Sequence, residues 1–254
     1  MKIRRTIATS AAAIVGLVLL LGPSAAMAAD IIYDNISNPL PPNEPSLGYQ
    51  ATQTSEFGDE IQFSGTARNL TQVTVTLSDW ALYSDWSSSG YDSSGYSVPM
   101  TLNLYNVGTG NSVGSLIASN TTTQNILWRP EASAGCGTAF LGSDGNCYNG
   151  LAQTVTFDFT GTVVPDEIVF GLAFNTQSYG ANPTGVAGPY NSLNFALNDV
   201  SGPSVGTDVN SDAVFWNTST QSWYANYDPS ATAFQKDTAW APYVPAVQFA
   251  AVPE

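Results

Sequence analysis

Histidine is absent from the 254 residues, and lysine and arginine together number 6 against 20 carboxylates. Without an imidazole the chain cannot assemble a Ser-His-Asp or Cys-His nucleophile. With only 2 cysteines beside that lack, it also has no third or fourth thiolate or imidazole for the Cys/His shell of a structural zinc. Lys2, Arg4 and Arg5 lie at the extreme N-terminus, which leaves Arg68, Arg129 and Lys236 as the only cations of everything that follows. Such a surface repels phosphate backbones and anionic lipid, so nucleic acid and membrane surfaces are poor candidates as partners. Phosphate-cradling glycine motifs are missing too: Gly108-Thr109-Gly110 continues as NSVG with no lysine downstream. No heptad, no 3.6-residue stripe beyond the N-terminal segment and no internal repeat interrupts this pattern. Yet 43% of the residues are apolar and only 10% charged, the composition of a chain that buries a core and not of a disordered acidic tail.

The one long apolar run opens the chain. MKIRRTIATSAAAIVGLVLLLGPSAAMAAD places basic residues before the run Ala11 to Leu21, a breaker at Gly22-Pro23, and small residues around Ala26-Met27-Ala28. This is the layout of a secretory signal peptide cleaved after Ala28. The run is shorter than the ~20 residues that span a bilayer, so no membrane insertion of the mature chain is expected. Arg4-Arg5 raises twin-arginine export, but the residues after the pair fit that signal poorly. Residues 29–254 are then a single secreted or cell-surface domain. In an exported chain the close pair Cys136 and Cys147 predicts a disulfide.

Period-two alternation dominates the remainder. Gln153 to Asn175 predicts two strands joined across a turn at Gly161, Pro165 and Asp166. Val155, Phe157 and Phe159 share one face of the first, and the second is apolar or tiny on both faces, as a central strand is. Asn69 to Trp80 sets Val73, Val75 and Leu77 against Thr74, Thr76 and Ser78. Met100 to Val107 and Val113 to Ala118 predict a hairpin. Shorter strands are expected at Ile31–Tyr33, Tyr49–Gln53, Glu60–Ser64, Ile126–Trp128, Leu193–Leu197, Ala213–Asn217 and Val244–Val252. Four prolines between Pro39 and Pro45 mark an extended connection, and Ser84 to Ser97 reads as a long Ser- and Gly-rich loop. Many short strands with frequent turn signals predict an all-β, antiparallel, jelly-roll-like sandwich closed by its first and last strands.

Three sets of residues carry candidate chemistry. Asp208, Asn210 and Asp212 alternate in DVNSD like the opening of a calcium loop, but Ala213 and Ser219 stand where the helical version needs glycine and glutamate. Calcium bound by separate loops is the form such a site would take; the alternative is a polar turn. Glu56, Asp59 and Glu60 cluster in TSEFGDEIQF, and a glycosidase needs two carboxyl groups; the plain alternative is a solvated strand entry. Aromatic rings crowd two stretches. One holds Trp80, Tyr83, Trp86, Tyr91 and Tyr96. The other runs through Phe215, Trp216, Trp223, Tyr224, Tyr227, Phe234, Trp240 and Tyr243. Rings beside amides and away from cations suit sugar stacking, whereas the competing use is core filling. The contact residues expected for a glycan are Trp86, Tyr91, Trp223, Tyr224 and Tyr227.

The closing residues Ala250-Ala251-Val252-Pro253-Glu254, with SEFGDEI, NLTQVTVTLSDWA and APYVPAVQFAA before them, resemble the exported domains of bacterial PEP-CTERM proteins. In that family Val-Pro-Glu-Pro precedes an apolar span and an arginine cluster, and here the second proline, the span and the basic end are missing. The resemblance implies a secreted or surface β-sandwich and brings no catalytic residues. The expectation is therefore a non-catalytic surface or matrix protein that binds an extracellular polysaccharide or cell-surface component. A hydrolase or lyase using Glu56 or Glu60, and a purely structural surface protein, are the rival readings.

Overall fold

The computed structural model describes residues 28–198, 202–217 and 235–253. Residues 1–27, nearly all of the signal peptide expected at 1–28, and the expected contact residues Trp223, Tyr224 and Tyr227 lie outside that set. Strands β1 (Asp30–Asp34) and β2 (Ser46–Gly48) lead into helix α1 (Tyr49–Thr52), then β3 (Glu56–Gln62) and β4 (Asn69–Asp79). Helix α2 (Tyr83–Trp86) precedes β5 (Tyr96–Val107), β6 (Val113–Ile126), β7 (Phe140–Leu141) and β8 (Cys147–Tyr148). The long β9 (Leu151–Val163) and β10 (Glu167–Phe174) follow, then β11 (Leu193–Asn198) and β12 (Thr207–Asp208). Last come β13 (Ala213–Asn217), β14 (Gln235–Thr238), β15 (Val244–Pro245) and β16 (Val247–Val252).

These strands build the expected antiparallel sandwich. One sheet runs β1-β16-β4-β11-β15, with β2 on β11 and β9 on the free side of β4; the other runs β14-β13-β3-β10-β5-β6, with β12 on β3. β4 is the hub of the first sheet, because its Val73, Val75 and Leu77 face inward as the alternation requires, fully buried, and both of its edges are paired. β10 holds the same place in the second sheet, between β3 and β5, which is why it tolerates apolar residues on both faces. The first and last strands, β1 and β16, do pair. Where β6 and β9 approach, Gln124 Nε2 donates to the Thr156 carbonyl and Gln153 brackets the Leu127 backbone through both ends of its amide. Side chains thus stitch the two sheets together, one of which curls into a half-barrel.

Two local expectations are corrected. The strands read from Gln153 to Asn175 are real, but they do not pair with each other: β9 adds to β4 and β10 crosses to the opposite sheet. The connection buries Val164, whose N–H donates to the Arg68 carbonyl, and the Arg68 guanidinium reaches Asp166 at 2.8 Å, so the turn is held open across the sheets instead of folding back as a hairpin. Tyr49 to Gln53 is not a strand but the single turn α1, ended by Gln53 in the left-handed conformation at φ 58. Tyr49 decides this local choice: its hydroxyl donates to the Leu172 carbonyl at 2.6 Å and its ring stacks on Phe174 at 4.1 Å, anchors that an extended backbone would draw apart.

The disulfide Cys136–Cys147 is formed, and it closes the loop that holds the small β7–β8 hairpin. On the chain-entropy account, a loop of this length stabilises the fold by about 3 kcal/mol. Urea titrations with and without a reductant are expected to show a loss of that order, and coincident curves would show that the bridge constrains nothing.

Candidate functional site

Three short pieces of chain meet beside the far edge of the first sheet. β2 pairs with β11 so that Ser46 stands opposite Ala196 and Gly48 opposite Asn194, and α1 rises directly from the end of β2. Trp80 follows β4, pinned by its own N–H to the Ser192 carbonyl and through its carbonyl to Arg129 Nε. Its indole N–H donates to Ser78 Oγ at 3.0 Å, and Ser78 in turn donates to Asn43. The ring is therefore fixed in direction while 46% of the residue stays open to solvent. Trp240 enters from the loop after β14, its ring against Phe57 and Trp216 and its Nε1 bonded to Asp237 Oδ2 at 3.1 Å.

Together these pieces line a groove of about 480 Å³ between Trp80, Trp240, Thr52, Ser46, Asn191 and Asn194. That volume lies within the range of small-molecule sites. Asn194 Nδ2 donates to Ser46 Oγ at 3.0 Å, and Asn191 Oδ1 accepts from the Gln177 backbone at 2.8 Å, so both amides are oriented before any ligand arrives. Gly48 lets Asn194 lie close over the backbone, since a Cβ there would stand 2.8 Å from Asn194 Oδ1 and push that amide aside. No charged residue is among the described residues of the lining.

The expected contact residues Trp86 and Tyr91 are placed elsewhere. They sit half-buried in a cage of rings at the end of the sandwich, where Tyr91 meets Trp86, Tyr96 and Trp128 edge-on at 6.0 to 6.4 Å. The Ser-rich stretch that holds them is not a bare loop, since α2 and a 3₁₀ turn at Ser87–Ser89 fold the rings back onto the core. Trp80 and Trp240 belong to the same aromatic-rich stretches of sequence. Asn191, Asn194 and Ser46 carry no distinguishing signal in a chain so rich in amides and hydroxyls; only the β2–β11 pairing brings them together.

The carboxylates occupy both faces of β3. Glu56 and Glu60 share the outer face, four residues and about 13 Å of strand apart, and each carboxyl turns to its own neighbours, Asn103 and Tyr105 for Glu56 and Glu167 for Glu60. Glu56 lies flat over Gly171 and accepts from Asn103 and Tyr105 of β5 at 2.9 and 2.8 Å. Burial raises its pKa and those two hydrogen bonds hold the rise down. Glu60 is pushed up to about 7 by burial and by Glu167 beside it. Asp59 points inward instead. Asp208, Asn210 and Asp212 do not converge on a common point: the Asn210 N–H caps Asp208 Oδ1 at 3.0 Å, while Asp212 is exposed. Among the described residues no three His, Cys, Asp or Glu side chains gather into a metal cluster.

Fold and site define a curled all-β sandwich with a rigid, uncharged, tryptophan-walled groove beside a sheet edge. Compared with known proteins, the chain matches no family model, no curated protein and no solved structure.

Proposed function

We propose that this chain is an exported, non-catalytic surface or matrix protein that binds a neutral polysaccharide in the Trp80–Trp240 groove. The observation that carries the reading is the pairing of two fixed indoles with the preset amides of Asn191 and Asn194 in one uncharged groove. Indole faces stack on the C–H faces of sugar rings, and amides bond equatorial hydroxyls in both directions. Because the groove offers no cation and the protein carries a net negative charge, uronate and sulfated chains are disfavoured. Export is supported by the N-terminal basic and apolar pattern and by the disulfide, together with the finding that no described helix is long and apolar enough to cross a membrane.

Affinity electrophoresis through gels containing neutral or acidic polysaccharides tests the reading. Retardation by at least one neutral polymer is expected, and Trp80→Ala is expected to weaken it about tenfold or more, the equivalent of losing one stacked ring. Migration unchanged in every neutral polymer, or retardation untouched in both Trp80→Ala and Trp240→Ala, would remove the groove as the binding site.

A further inference from the structure

The inner face of β3 holds an arrangement that glycan binding does not use. Phe57, Asp59 and Ile61 alternate toward the opposite sheet, so Asp59 is sent into the core, where it is 2% exposed. β12 runs antiparallel to β3 with Asp208 opposite Ile61. Residues opposite one another in such a pair share a face, which puts Asp208 on the inner side, one diagonal step from Asp59. Tyr33 arrives from the facing sheet, fully buried, and packs so closely under Gly206 that a Cβ there would stand 2.8 Å from its ring. The Tyr33 hydroxyl, Asp59 Oδ2 and Asp208 Oδ2 are all buried without a hydrogen-bond partner.

Three orphaned oxygens in one place are costly, because each has lost water and gained nothing. Lys236 does not answer them directly: it stands opposite Phe215, which pairs with Gly58, and so lies on the other face of the sheet. A cavity of about 440 Å³, lined by Gly206, Thr207, Asp208 and Ser211, reaches Asp208 from outside and gives a solute a way toward it.

We propose that Asp59 and Asp208, with the Tyr33 hydroxyl beside them, form a buried site for calcium. The donors are all oxygen and two are carboxylates, the set that hard cations select and soft metals refuse. Water entering from the cavity would supply the rest of the six to eight oxygens that calcium takes. The site keeps Asp208 of the DVNSD segment but replaces Asn210 and Asp212 with residues from two other strands, which is why spacing along the chain misplaces it. Bound there, the ion would tie β1 of one sheet to β3 and β12 of the other.

The test begins with the purified protein stripped by EDTA and titrated with calcium chloride in a calorimeter and in thermal melts. Saturation is expected to raise Tm by about 5 °C or more, and the rise is expected to vanish in Asp59→Asn and Asp208→Asn. Terbium gives an independent readout: Tyr33 should sensitise its emission, calcium should quench that emission by displacement, and Tyr33→Phe should dim it in a protein that still folds. No heat and no Tm shift up to about 10 mM calcium, above the weakest extracellular calcium modules, would overturn the proposal. So would a shift retained in both aspartate variants. A wild type indifferent to calcium whose Asp59→Asn variant melts higher would assign the pair a shared proton instead, and also overturns it.

Discussion

Replacing Gly58 with valine, or even alanine, is expected to stop the protein from folding. A Cβ at this position would lie 1.8 Å from the Phe170 carbonyl oxygen and 2.9 Å from the Gly171 Cα. Both are backbone atoms of β10, so no rotamer change relieves the overlap, and β3 must part from the strand at the centre of its sheet. Side chains that clash only with flexible neighbours cost a few kcal/mol at most, whereas prying apart a central strand pair exceeds about 4 kcal/mol, a large fraction of a domain's whole stability. Far-UV circular dichroism and the yield of soluble Gly58→Ala provide the measurement. A variant recovered in soluble form that unfolds at the wild-type urea midpoint would show that β3 and β10 can separate at little cost. The facing Gly171 differs, because a Cβ there meets the movable carboxylate of Glu56; the two glycines look alike in sequence and are unequal in the fold.

The second large effect is an inverted dependence on acidity. Asp79 is pushed up to about 7, chiefly by burial, against the pull of the Tyr96 hydroxyl at 2.6 Å, the Ala81 N–H and the Arg129 charge. Its folded pKa lies above the unfolded value of 3.8, so the folded chain holds the proton more tightly. The stability this contributes is complete below pH ~4 and is lost as pH rises through 7, a difference of about 4 kcal/mol between the two ends. Glu60 acts in the same direction and over a similar window, and burial raises Glu56, Asp59 and Asp208 as well. In calcium-free buffer, urea midpoints are therefore expected to climb as pH falls from 8 to 5. Further acidification takes back a small part of the gain, because the exposed Asp92, Asp144 and Asp158 have lowered pKa values and surrender their local hydrogen bonds on protonation. Asp79→Asn should flatten the climb. A midpoint that is constant or falls between pH 8 and 5 would contradict the burial that drives the shift.

How far the sequence discloses this molecule depends on the range of each cue. Alternation is local and strong in β4 and β9, so Val73, Val75 and Leu77, or Phe157 and Phe159, announce their face and the structure keeps it. Pairing is not local. Nothing in the residues between Phe159 and Ile168 says whether the chain folds back or crosses the sandwich; the Arg68 segment that meets the buried Val164 and Asp166 in the crossing comes from nearly a hundred residues away. The groove shows the same division. Trp80 and Trp240 are visible as aromatic excess, but which rings fill the core and which stay open is decided by partners. Trp86 and Tyr91 are drawn into the cage around Trp128, while the hydrogen bond to Ser78 holds Trp80 outward. Buried carboxylates are the least legible feature, since Asp59 differs from any exposed aspartate only in being set between Phe57 and Ile61 on an inward face.

The β1–β16 seam gives the topology the character of a ring. Asp30 faces Ala251 across that ladder, so the two ends of the described fold are hydrogen-bonded neighbours. Neither sheet needs the chain to be interrupted at that point. A short linker across the seam, with a new opening in the exposed turn between β5 and β6, leaves every strand partner in place. What defines the architecture is the cyclic order of its strands, and the position of the break is incidental to it.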